Sequence, residues 1–395
     1  ATQSSAVGTY SITASGASDA NYTISYVPGT LTVNAATLTI TADNKSKTYG
    51  SVNPSLSVTY NGLVNGDVAP STLATLTTIA TQSSAVGTYS ITASGASDAN
   101  YTISYVPGTL TVNAATLTIT ADNKSKTYGS VNPSLSVTYN GLVNGDVAPS
   151  TLATLTTIAT QSSAVGTYSI TASGASDANY TISYVPGTLT VNAATLTITA
   201  DNKSKTYGSV NPSLSVTYNG LVNGDVAPST LATLTTIATQ SSAVGTYSIT
   251  ASGASDANYT ISYVPGTLTV NAATLTITAD NKSKTYGSVN PSLSVTYNGL
   301  VNGDVAPSTL ATLTTIATQS SAVGTYSITA SGASDANYTI SYVPGTLTVN
   351  AATLTITADN KSKTYGSVNP SLSVTYNGLV NGDVAPSTLA TLTTM

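Results

Sequence analysis

Cysteine, histidine, tryptophan, phenylalanine, arginine and glutamate are all absent from the 395 residues. Without histidine or cysteine there is no Ser-His-Asp or Cys-His nucleophile system and no imidazole or thiolate metal site. Carboxylate-pair chemistry needs two acids side by side, and the acids here are 15 aspartates spread thinly along the chain. No enzymatic activity is expected. Only 6% of residues are charged, against a usual ~25%, with 10 lysines as the whole basic complement and a net charge of −5. Nucleic acid is therefore not expected as a partner, because its binding needs clustered lysine and arginine. No run approaches the ~20 apolar residues of a membrane-spanning helix, and the start of the sequence lacks a charged segment followed by an apolar one.

What is present is repetition. Residues 1–79 recur letter for letter from Ala80, Ala159, Ala238 and Ala317, except that Met395 stands where the other copies carry Ile79, Ile158, Ile237 and Ile316. A strict period reduces the problem to one unit. A unit of 79 residues can bury a modest core by itself, unlike the 20 to 45 residues of a solenoid repeat. Each period carries 15 threonines and 11 serines, which solvate the surface in place of charge. Such a surface suits an extracellular setting.

Threonine or serine alternates with apolar residues over Thr30–Val33, Thr37–Ala42, Ser55–Tyr60, Tyr89–Ala93 and Tyr101–Tyr105. Period two with β-branched and aromatic residues predicts half-buried strands. Turn signals separate them: Asn61-Gly62, Asn65-Gly66-Asp67, Ala69-Pro70-Ser71, Ser94-Gly95 and Pro107-Gly108. No amphipathic helix is expected beyond a single turn at Pro70–Ala74. The fold class is all-β, a tandem array of small Ig-like β-sandwich modules with stiff short linkers; a β-grasp-like module is the alternative.

The alternation changes phase once per period. Leu31 and Val33 put odd positions inward, whereas Leu38, Ile40 and Ala42 put even positions inward, so the register slips within Asn34-Ala35-Ala36. A one-residue slip turns every side chain to the other face, which disfavours one continuous strand in one sheet. Modules are accordingly expected at 36–114, 115–193, 194–272 and 273–351. Residues 1–35 are then the C-terminal part of a split module and 352–395 its N-terminal part, as in a window on a longer fibre. The linker Val-Asn-Ala-Ala-Thr has no glycine or proline and little slack. Five modules of roughly 30 to 40 Å would span roughly 150 to 200 Å.

Several motifs together, Thr39 to Gly50, Asn53-Pro54-Ser55-Leu56, Tyr60 to Asp67, Val86-Gly87-Thr88-Tyr89, Asn100 to Ile103 and Gly108 to Val112, resemble the bacterial MBG domain of the Tyr-Gly type. The motif residues are Tyr49, Gly50, Pro54, Gly62, Gly66, Asp67 and Gly87. The resemblance covers the whole period and implies secretion in a large bacterial surface protein or adhesin; it assigns no ligand and no catalytic residue.

Among the remaining residues, Asp98-Ala99-Asn100 copies the opening of a calcium loop but lacks the turn glycine and the final glutamate. Asp43 and Asp98 are the candidates for Ca²⁺, against ordinary turn hydrogen bonding as the blander reading; no other cofactor is expected. Lys45 and Lys47 are placed in a polar loop, where a covalent bond to asparagine would lack its buried acid. Most tyrosines, of Tyr49, Tyr60, Tyr89, Tyr101 and Tyr105, are assigned to the core. Tyr49-Gly50 reads as a turn in which glycine supplies a left-handed backbone angle. The threonine ladders are soluble strand faces, although a flat hydroxyl array can also bind ice or carbohydrate. Identical neighbours, in the same chain or another, are expected partners through strand complementation or fibre packing. Two functions fit: an extracellular stalk or filament, and a multivalent adhesin whose repeats weakly bind a glycan or other surface ligand.

Overall fold

A computed structural model describes all 395 residues. The chain divides into two compact units, Ala1–Ala194 and Thr195–Met395. The first opens with two strands, β1 (Gly8–Ile12) and β2 (Gly29–Val33), paired antiparallel. Seven strands follow: β3 (Ala36–Ala42), β4 (Lys45–Thr48), β5 (Val58–Asn61), β6 (Thr75–Thr78), β7 (Gly87–Ser94), β8 (Tyr101–Val106) and β9 (Gly108–Asn113). They form a three-stranded sheet in the order β5-β3-β8 and a four-stranded sheet in the order β4-β9-β7-β6. There is no helix. The fold is all-β, a two-sheet sandwich, and the β-grasp-like alternative is set aside because that fold lays a helix across its sheet.

The core lies between the sheets. Leu38 and Ile40 of β3 pack with Ala93 of β7 and Tyr101 of β8, while Ala42, Ile91 and Leu110 form a second cluster with Ala80. Outward positions of the same strands are threonine and serine, such as the Thr77–Thr92 pair, whose hydroxyls meet across β6 and β7 at 2.9 Å. Two strands escaped the sequence pattern. Lys45–Thr48 is β4 rather than a polar loop, and its lysines occupy the inward-facing register, with Lys45 opposite Leu110 and Lys47 opposite Val112. Thr75–Thr78 pairs with β7 although it has only one apolar residue. Pro70–Ala74 makes no helical turn; Thr72 instead bridges Ser97.

The topology has a particular consequence for the chain's path. β3 pairs parallel with β8, and β4 pairs parallel with β9. Between β3 and β4 the chain changes sheet at Asp43-Asn44, and between β8 and β9 it changes sheet at Pro107, which has no N–H to extend the ladder. The first two strands of the sandwich and the last two thus run side by side and cross from one sheet to the other together. Asn44 closes the gap, its Oδ1 accepting from the N–H (2.8 Å) and hydroxyl (3.0 Å) of Thr109.

The phase slip in the sequence is a change of sandwich. β9 ends at Asn113 in the four-stranded sheet, and β10 (Ala115–Ala121) begins the three-stranded sheet of the next, with Ala114 alone between them. Leu110 is buried in one core, and Ala115 and Leu117 in the next, with Val112 packed against the latter. The second sandwich of this unit repeats the same sheets and register up to Asn192. The other unit holds two more, with four-stranded sheets built on Gly266–Asn271 and Gly345–Asn350, and a last antiparallel pair, Thr355–Ala358 with Val374–Asn377. Sheets without a facing partner leave their apolar side open: Leu31 is 45% exposed where its counterpart Leu110 is 0%.

Candidate functional site at the joint between neighbouring modules

The Tyr49-Gly50 turn follows β4. Tyr49 N–H donates to Asn113 O (2.8 Å), extending the parallel ladder, and Ser51 N–H closes the turn on Thr48 O (3.0 Å). Gly50 sits at φ +82°, in the left-handed region that glycine enters at least cost. The turn is braced from inside its own module. Gln82 Nε2 donates to Gly50 O (2.9 Å), and Lys47 Nζ donates to Ser51 O (3.1 Å), Gln82 O (3.4 Å) and, more closely, Thr81 O. Lys47 is buried, and desolvation lowers its pKa from the ordinary lysine value. A buried ammonium needs its donors used, and three loop carbonyls use them. Asn53 donates to Ala80 O (2.6 Å), leaving its buried Oδ1 without a partner. In residues 354–395 the counterpart lysine, Lys363, donates to Asn369 Oδ1 instead (2.5 Å).

The braced turn stands against the next module. The Tyr49 ring meets Tyr180 edge-on, centroids 5.5 Å apart and planes at 85°. Both hydroxyls converge on one carboxylate oxygen, Asp146 Oδ2: Tyr180 donates at 2.6 Å and Tyr49 at 3.2 Å. Val143 N–H donates to the Tyr180 oxygen (2.9 Å). The Val143 side chain lies over Gly50 so closely that a β-carbon there would fall 2.5 Å from it. Glycine is needed at this position twice over, for the backbone angle and for the space. Tyr49 and Val112 of one module belong to the same buried cluster as Ala115, Leu117, Ile119 and Tyr180 of the next, so the core runs through the joint. A further bond, Val86 N–H to Asn179 Oδ1 (3.0 Å), ties the two modules beside it. Burial and then the bond to Asp146 push the Tyr180 phenol up to about 12, against the opposing N–H of Val143.

The second unit repeats this arrangement. Tyr207 meets Tyr338 at 5.5 Å and 84°, both donate to Asp304 Oδ2 (3.2 and 2.6 Å), and Val301 covers Gly208. The corresponding residues Val64, Asp67 and Tyr101 have no Tyr-Gly turn against them, because residues 1–35 do not include one. There Tyr101 still donates to Asp67 Oδ2 (2.7 Å) and accepts from Val64 N–H (3.0 Å).

Of the residues singled out from the sequence, the structure brings Tyr49 and Gly50 of one module to the next module's counterpart of Asp67. Asp67 itself pairs with Tyr101 inside its own module. Gly62 has φ +106°, and a β-carbon would lie 2.2 Å from Thr37 O. Pro54 is half-buried, and Gly66 and Gly87 lie in open space. Asp43 accepts from Ser57 and Thr59 (2.5 and 2.7 Å), which hold its pKa below the usual carboxylate value. Asp98 accepts from the N–H groups of Asn100 and Ser71 (2.9 Å each), an Asx turn that lowers its pKa too. No three His, Cys, Asp or Glu side chains gather as a metal-ligand group. Of the tyrosines, Tyr49 and Tyr101 are buried, Tyr60 and Tyr89 half-buried, and Tyr105 is 38% exposed with its hydroxyl bound to Ala96. The neighbour's part in the Tyr-Gly site was missed from the sequence, as was the burial of Lys47.

No curated protein sequence matches the chain. Among solved structures, Drosophila N-cadherin EC1-4 aligns at 8% identity over 67% of this chain and 83% of its own, with a TM-score of 0.21. The Sidekick-1 immunoglobulin domains 1-4 align at 12% identity over 88% and 94%, with a TM-score of 0.19. At those scores neither bears on how this chain is built. The model of the MBG domain (YGX type) matches residues 1–32, 38–111, 117–190, 196–269, 275–348 and 354–395. The YGX of its description is met here by Tyr49-Gly50-Ser51 and its copies, the residues at the joints. With matches over nearly its full length, this chain belongs to the MBG domain (YGX type) family.

Proposed function

We propose that the chain is the repeat region of an extracellular bacterial stalk or filament, whose work is to hold a distal part away from the cell surface and to carry tension. Repeats of this family are typical of bacterial surface proteins, and the family is one of repeat domains rather than enzymes. The observation that carries the reading is the parallel pairing of each module's first two strands with its last two, β3 with β8 over six residue pairs and β4 with β9 over four. Tension enters at Ala36 and leaves at Asn113, so it slides the two strands along one another. All ladder bonds are then loaded in shear at once, which resists force better than opening them one at a time.

We take 36–114, 115–193, 194–272 and 273–351 as the units that unfold. Single-molecule stretching of the full chain tests this. Equally spaced events are expected, each releasing roughly 200 to 250 Å as 79 residues extend. A featureless extension would overturn the load-bearing reading. Saturable binding of a glycan with one site per module would put the multivalent adhesin in its place.

A further inference from the structure

We propose that the Tyr-Gly turn and the Val143–Asp146–Tyr180 surface are a recognition pair, a knob and a socket, by which each module binds a second copy of itself and fixes the angle between the two. This goes beyond the stalk reading and does not depend on where the protein resides. Three observations carry it.

Exposed linkers leave neighbouring domains free to move unless a substantial apolar interface holds them. Here the interface is apolar and continuous with the core: Tyr49, Val112, Leu117 and Tyr180 belong to one buried cluster. Secondly, the fit is specific at atomic scale. Gly50 is the one residue type that lets Val143 close over the turn, and Asp146 Oδ2 takes one phenol from each module. A carboxylate that accepts two hydroxyls loses one of those bonds if the knob offers only an apolar surface, which favours tyrosine on the knob. Thirdly, each half is held by hydrogen bonds of its own module, and the socket keeps its bonds where no knob is present. Lys47 and Gln82 brace the knob from within its own module. Val64, Asp67 and Tyr101 keep the socket's hydrogen bonds at 3.0 and 2.7 Å with no knob present, against 2.9 and 2.6 Å in the occupied site. Preorganised partners lose little freedom on meeting. Lys47 and Gln82 are positioning residues; Tyr49, Gly50, Val143, Asp146 and Tyr180 make the contact.

The absence of cysteine makes the test direct. Ser90→Cys and Ser169→Cys place spin labels on exposed, equivalent strand positions of adjacent modules in the full chain. The interlabel distance distribution is expected to be narrow. Tyr49→Ala on the knob or Asp146→Ala on the socket should each widen it roughly two-fold or more, as released domains default to relative motion. The double variant should be no wider than either single, since both remove one contact. Tyrosine titration followed by ¹³C resonance gives a second readout that loss of fold stability alone would not move: Tyr180 should fall from about 12 when Tyr49 is removed, because burial is the leading cause of its shift. A distribution as narrow in the variants as in the parent overturns the proposal, as does a Tyr180 titration unchanged by Tyr49→Ala. If Tyr49→Ala unfolds its module, Asp146→Ala, made in the other module, decides by the interlabel distances.

Discussion

The occupied socket at Val143, Asp146 and Tyr180 and the unoccupied one at Val64, Asp67 and Tyr101 have identical sequences, but a complete sandwich with its Tyr-Gly turn precedes the first and only the β1-β2 pair precedes the second. Val64 is 47% exposed and Asp67 is exposed, whereas Val143 and Asp146 are half-buried. The hydrogen bonds inside the socket barely change. The Tyr101 phenol is raised even though the Val64 N–H opposes it, Asp67 and burial outweighing that bond. For Tyr180 burial becomes the leading cause and the value reaches about 12. Tyr207 is 7% exposed, while Tyr365, which has neither a socket nor a counterpart of β4 leading into its turn, is fully exposed. Docking therefore adds desolvation to a site whose polar geometry is already made. That division of labour separates what folds a module from what joins two.

The comparison can be broken most forcefully at glycine. Gly208 and Gly366 share left-handed backbone angles, φ +83° and +86°, so alanine strains both alike. Only Gly208 has a neighbour in the way, with Val301 2.4 Å from the added carbon and nothing within 4 Å at Gly366. Gly208→Ala should cost about 2–4 kcal/mol and Gly366→Ala about 1 kcal/mol, measured by denaturant unfolding of the full chain. Equal costs would mean that the joint has slack. Next in size is the brace. Lys47→Met leaves three loop carbonyls without a donor and should cost about 2 kcal/mol, while Lys363→Met, at an exposed site, should stay within about 0.5 kcal/mol. Removing the socket wall is milder: Val143→Ala should cost about 1 kcal/mol and Val64→Ala about half that or less, read the same way.

The smallest effect is in alkali. The Tyr180 phenol is raised in the folded chain, so the fold favours its protonated form. Its contribution is whole below pH 10 and is lost as pH rises from 10 to about 12. Joints should thus loosen in that window, seen as widening of the interlabel distances before the strands melt. Tyr180→Phe should abolish the pH dependence while keeping the ring in place.

Much of a module was legible beforehand, for reasons that particular residues make plain. Thr37 to Ala42 alternates cleanly, and its even positions are the buried ones because a pleated strand has no other way to sort them. At Asn113–Ala115, where the alternation slips, β9 ends in one sheet and β10 begins another. β4 was hidden because its inward positions are lysines, whose stems are apolar but whose heads announce solvent. The joint was hidden for a different reason. Tyr49 and Asp146 lie 97 residues apart, more than one period of 79, so a unit read by itself contains both halves of the contact and never shows them meeting. Tyr49-Gly50 forms a turn with a left-handed glycine, and the turn's shape is half of what the pair does.

Because every period carries one knob and one socket, inserting or deleting whole periods leaves each surviving joint matched. Recombination between identical copies in the gene would shift the register of the array by 79 residues at a time and never create a seam. The length of such a chain is then free to drift or be selected without any new interface having to evolve.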